Sequence, residues 1–219
     1  MDSQKEPVQA LEEIKQMMDR SSRFVSLSGW SSTAAGICAL IATGAAHKKF
    51  NSYSVKGEEY QSPSDYTRDA NLIQLDRELL VLAVITFTAA FLLAFLFTYL
   101  RSRKTGAPIW GFMARKVMVN MALPMIVGGV FIWRLTDFGV YGLVAPASLL
   151  FYGLALINAS KFTISELRYL GYMQLLLGIV NLWATGYGLY FWAAGFGLLH
   201  IIYGLVIWNK YERNEKGVA

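Results

Sequence analysis

One cysteine, Cys38, and two histidines, His47 and His200, are all this chain offers for disulfides or soft metal sites. A lone cysteine excludes an intrachain disulfide and a thiolate metal cluster. Charge is scarce as well. Only 16% of the 219 residues are charged, against about 25% in ordinary globular chains. Between Tyr169 and Asn209 lie 41 residues without one Asp, Glu, Lys or Arg. That run is too long for a buried helix of a soluble domain, whereas a bilayer core takes about 20 apolar residues per helical crossing. Gly-rich phosphate loops, nucleophile elbows and metal-spaced clusters are also missing. Together these absences point away from a soluble enzyme and towards a polytopic membrane protein.

Six apolar stretches fill most of the chain: Phe24–Ala46, Leu79–Leu100, Val117–Trp133, Phe138–Ser160, Tyr169–Leu189 and Phe191–Asn209. Unpaired backbone groups are too costly in hydrocarbon for anything but helices here. The expected fold is therefore an all-α membrane protein, a bundle of six transmembrane helices spanning residues 24–209. Pro124 and Pro146 are expected to kink the third and fourth crossings. Trp110, Trp133, Trp183, Tyr187, Tyr190, Trp192, Trp208 and Tyr211 collect near the ends of crossings, as an interfacial belt does. The first residues mix both signs of charge and form no cleavable leader, so the first crossing should remain as a signal-anchor.

Lysine and arginine counts set the orientation. With both termini in the cytoplasm, the inner segments 1–23, 101–116, 161–168 and 210–219 hold 14 of the 20 basic residues. Five of the other six sit in the long outer loop 47–78. Short basic loops all fall on one side, which is the side expected to face the cytoplasm. The net charge of +5 follows from this topology and implies no nucleic-acid partner.

Outside the crossings, Val8, Leu11, Ile14 and Met18 recur at helical spacing opposite Glu12, Glu13 and Lys15. Residues 1–23 should thus carry a short amphipathic helix that lies on the inner membrane surface or docks on a cytoplasmic protein partner. The inner loop 101–116 has five basic residues and no acid, so it should attract anionic lipid at the inner face. The tail 210–219 is cytoplasmic on the same reading.

A shift of 142 residues lays the first crossing on the fifth, with Gly29 and Gly36 falling on Gly171 and Gly178. On the fifth helix, Gly171, Gln174, Gly178, Asn181, Thr185 and Gly188 share one face; the sixth shows Ala193, Gly197, His200 and Gly204. Small residues let helices approach closely where no water separates them. Helices one, five and six are expected to form the tight centre through Gly29, Gly36, Gly171, Gly178, Gly197 and Gly204. The Phe- and Leu-rich second helix should face lipid.

Gln174, Asn181 and His200 are the candidate polar residues. They either bond across the small-residue face or line a polar cavity. Asn120, one turn before Pro124, is placed to satisfy backbone freed by a kink. Arg134 and Asp137 should pair at the turn between crossings three and four, and Glu166 should serve the N-terminus of the fifth helix. No carboxylate pair sits within a crossing, and His47 and His200 lie too far apart in depth to share a haem. No catalytic residue, metal or cofactor is assigned. The function classes left are a non-enzymatic structural or regulatory envelope protein, a channel or transporter for a small uncharged solute, and a redox or lipid-modifying enzyme using His200.

The stretches Ser21-Ser22-Arg23-Phe24-Val25-Ser26-Leu27-Ser28-Gly29 and Glu166-Leu167-Arg168-Tyr169-Leu170-Gly171, with the ending Gly195 to Gly204, resemble a family of small bacterial inner-membrane proteins of unknown function. The resemblance implies a bacterial inner membrane and six helices, and it transfers no site residues. Some members carry the label of carotene-cleaving monooxygenase. Carotenoid-cleaving enzymes hold iron with four histidines, and this chain has two.

Overall fold

The computed structural model describes residues 28–52, 70–105 and 110–213; the expected amphipathic segment 7–20 and the tail beyond 213 lie outside them. Six helices follow in chain order: α1 (Gly29–Ser52), α2 (Ala70–Thr105), α3 (Phe112–Asp137), α4 (Val144–Ala159), α5 (Leu167–Trp183) and α6. The last is built from four consecutive segments, Gly188–Trp192, Ala193–Leu199, His200–Ile207 and Trp208–Glu212. Its second and fourth segments are wound as wider π-helix. The described residues contain no strand. Four stretches, Arg77–Lys104, Phe112–Asp137, Tyr141–Ala159 and Thr185–Glu212, are long and apolar enough to cross a membrane.

Helices one and five fall outside that group for separate reasons. α1 is diluted by Ser31, Ser32, Thr33, Thr43 and its lysine-bearing end. α5 has 17 residues, which is about 25 Å of helix. Its end at Trp183 corrects the expected stop at Leu189. Asn181 makes the stop: its Nδ2 donates to the Ala184 carbonyl at 2.7 Å, and the Ala184 N–H returns to Asn181 O. A single 3-10 turn, Thr185–Tyr187, then leads into α6. Thr185 and Gly188 therefore do not extend the small-residue face of α5.

The turn from α3 to α4 needs a glycine. Gly139 has φ of +73°, a left-handed conformation that side chains with a Cβ rarely adopt. Val140 N–H bonds back to Leu135 O, and Gly139 N–H to Thr136 O, which satisfies carbonyls the helix end leaves open. Arg134 pairs with Asp137 at 2.9 Å there, as the sequence suggested.

α4 and α6 form the centre, a correction to the expected trio of helices one, five and six. α4 packs against α3, α5 and α6, and α1 packs on α6. Leu149, Ala155, Leu156 and Ala159 of α4 are fully enclosed, as is Ile207 of α6. α2 lies along α1, with Phe87, Phe91, Leu92 and Phe95 exposed. At one end Glu212 ties three helices together. Its Oε1 accepts from the Gly29 N–H and from Arg101, each at 2.5 Å. The first of these supplies an acceptor that the start of α1 otherwise lacks.

The two prolines behave differently. Pro146 stands in the first turn of α4, where its missing N–H breaks no helical bond, so the expected kink has no cause there. Pro124 lies inside α3 and deprives the Asn120 carbonyl of its donor. Asn158 of α4 replaces that donor, its Nδ2 lying 3.0 Å from Asn120 O. The Asn120 side chain donates instead to Lys116 O at 2.8 Å. The remedy comes from the neighbouring helix and not from Asn120.

Candidate functional site

Glycines set the helix separations before any polar group acts. A Cβ on Gly36 would stand 2.7 Å from the Gly197 carbonyl oxygen and 2.8 Å from Ile201. A Cβ on Gly29 or Gly204 would overlap the backbone of the other helix. The spacing of seven along α1 thus matches a spacing of seven along α6, and the two run antiparallel with backbones touching. Gly171 makes the same kind of contact with α4, where a Cβ would meet Ile157 at 2.7 Å and Gly153 O at 2.9 Å. Gly178 faces Leu150 and Leu149 of α4. The six glycines therefore serve two helix pairs, α1 with α6 and α4 with α5.

Between those pairs sits a polar cluster centred on the Gly195 carbonyl, within the π-wound part of α6. Gln174 Nε2 donates to it at 2.8 Å from α5. His200 Nδ1 lies 3.0 Å from the same oxygen. A carbonyl only accepts, so Nδ1 must carry the proton, and the partner assigns the tautomer. Nε2 is then the acceptor, and the Tyr152 hydroxyl of α4, 2.7 Å away, donates to it. α1 joins through Ser32 Oγ, which donates to the His200 carbonyl at 2.9 Å. Four helices thus meet at two residues of α6. Tyr152 also packs against Phe196, with ring centres 5.0 Å apart, and Phe196 against Trp192.

Gln174 and His200 are brought together; Asn181 is not. It closes the end of α5 and faces Gly188. Gln174 and Asn181 are completely enclosed, and His200 is nearly so. Gln174 Oε1, Asn181 Oδ1 and the Tyr203 hydroxyl have no hydrogen-bond partner among the described residues. Turning the Gln174 amide over would not help, because Oε1 would then face the Gly195 oxygen. Oε1 rests instead against Gly195, where a Cβ would stand 2.5 Å away. Only glycine fits there.

A second polar node lies where α5 begins and α6 ends. Glu166 Oε1 accepts from Lys210 and from the Tyr211 hydroxyl of α6. Its side chain makes no cap on α5, contrary to expectation. Burial pushes the Glu166 carboxyl up, but hydrogen bonds from Lys210, its own backbone and Tyr211, with the Lys210 charge, outweigh this and bring it down to about 2.

Tyr152, Asn158 and Glu212 were not singled out from sequence. Among the described residues no group of three His, Cys, Asp or Glu could hold a metal ion. Both ring nitrogens of His200 are engaged, so ligation by His200 would require breaking the Tyr152 contact. No protein-family model, curated protein or solved structure matches the chain.

Proposed function

We propose that the chain is an integral protein of a bacterial inner membrane, crossing it six times with both termini in the cytoplasm. In this role it is a closed, non-enzymatic structural or regulatory component of the envelope, working through lipid and a protein partner on the cytoplasmic side. One observation carries the reading. The candidate polar residues at membrane depth are bonded within the bundle, and the glycines beside them are in contact with neighbouring helices. Side chains used in this way hold helices in register.

Three further features support the membrane reading. Four helices have the length and apolarity of crossings. Trp133, Trp183, Tyr187 and Tyr190 are exposed near one end, and Trp110 near the other. Gly29, Arg101, Glu166, Lys210 and Glu212 gather at one end, so the segments read as inner share a side. α1 and α5 complete the six crossings on this reading, α5 as a short crossing and α1 sheltered by α2 and α6.

The alternative is a pathway for a small uncharged solute. The buried, unpartnered oxygens of Gln174 and Asn181 favour it, because such atoms are what a polar solute would bond. Purified protein in liposomes tests both, with glycerol and urea uptake followed by light scattering. The closed bundle should leave permeability at the level of empty liposomes. Uptake above that level, lost in His200→Phe, would replace this reading with the solute pathway.

A further inference from the structure

At the end of the bundle opposite Glu212, Lys49 of α1 faces Glu78 of α2. The space between the two helices is an open groove of about 590 Å³, lined by Lys49, Gln74, Arg77, Glu78 and the apolar Val81, Leu82 and Ile85. Its polar groups are not equivalent. Glu78 is committed, with Oε2 2.7 Å from Lys49 and Oε1 3.4 Å from Gln74 Nε2. Arg77 makes no ion pair within the described residues and is exposed. Among the described residues one guanidinium charge at the mouth is therefore left without an ion pair. The apolar wall runs from there into the stretch Arg77–Lys104, one of those able to cross a membrane.

We propose that this groove seats an anionic phospholipid, with the phosphate on Arg77 and one acyl chain along Val81 and Ile85. The proposal rests on the membrane reading above. An occupant must offer an anion at the mouth and an apolar chain below it, spaced as the groove spaces them. A guanidinium forms paired hydrogen bonds to a phosphate, which suits Arg77 to the headgroup. The connecting segment 53–69 offers carboxylates but no two adjacent apolar residues to match the apolar wall. A zwitterionic lipid offers the chain but adds a cation beside Arg77.

The test uses the full chain in nanodiscs of phosphatidylcholine. These are doped with phosphatidylglycerol or phosphatidylcholine carrying a photoactivatable group high on one acyl chain. The glycerol probe should label the Val81–Ile85 peptide roughly fivefold more than the choline probe, the effect of one cation beside an anionic headgroup. Arg77→Gln should remove that preference. Val81→Trp, which fills the chain seat and keeps the charge, should remove labelling by both probes, while Arg103→Gln at the other end of α2 should change neither. Equal labelling by the two probes, or a preference that survives Arg77→Gln, would overturn the proposal. Labelling of the exposed Phe87–Phe95 face by the choline probe reports separately that α2 is in the bilayer. Its absence would overturn the membrane reading and the proposal with it.

Discussion

Asn158 illustrates how a single side chain repairs a backbone. Pro124 removes one donor from α3, the Asn120 carbonyl loses its partner, and Asn158 fills the gap from α4. Asn158→Leu should therefore cost about 1–3 kcal/mol, the penalty for an acceptor left unsatisfied. The sharper test is a double-mutant cycle read by thermal unfolding in detergent. In a Pro124→Ala background, residue 124 regains an N–H for the Asn120 oxygen, and Asn158→Leu should become nearly neutral. Equal costs in both backgrounds would show that Asn158 acts by packing alone. Such a link is hidden in sequence, because the two asparagines are 38 residues apart and nothing local pairs them.

Elements were more legible than their partners. Long uncharged runs marked all six helices, since lipid or a packed neighbour must cover such surfaces. The glycines that permit close approach were legible too, because their spacing repeats along one face. Which helix each face meets was not. Gly36 and Gly178 fell into one expected cluster, yet one meets α6 and the other α4. The stop of α5 was missed by six residues because no proline or charge marks it; a side-chain bond from Asn181 does. α1 supplies its own control for the packing argument. Gly36→Leu should lower stability by about 1–3 kcal/mol, the usual cost of overpacking. Gly44→Leu on the same helix should cost little, because a Cβ there meets nothing within 4 Å.

The clasp between the start of α5 and the end of α6 predicts a pH dependence. Glu166 titrates near 4.5 when unfolded and is brought down to about 2 in the fold. A depressed carboxyl stabilises the folded state above its unfolded value, and that contribution is lost as pH falls through the folded one. Thermal stability should therefore decline between about pH 4.5 and 2, and Glu166→Gln should flatten that part of the profile. An unchanged profile in the variant would show that Lys210 and Tyr211 do not hold α6 through this carboxylate.

Over the whole molecule, the contacts join the ends of helices that sequence charge had already grouped. Arg101, Glu166, Lys210 and Glu212 come from segments distant along the chain and meet at one end. Reporter fusions after Lys104 and Lys216 should accordingly behave as cytoplasmic, and fusions near Lys56 as external. An external signal at residue 216 would reverse the proposed orientation. The function was the least legible property, because the polar residues that draw attention in the sequence are bonded within the bundle. Gln174 and His200 bond across helices, and Asn181 bonds at the end of α5. The central claim is that this interior is closed and that His200 is a structural link. Nitrogen-15 NMR of histidine-labelled protein in lipid bilayers addresses it directly, with a His47→Gln variant to isolate the His200 signals. The account predicts one neutral ring form with the proton on Nδ1, a hydrogen bond to Nε2 that disappears in Tyr152→Phe, and no magnetisation transfer from water. A His200 ring in contact with water, or protonated on Nε2 with Tyr152 intact, would contradict it.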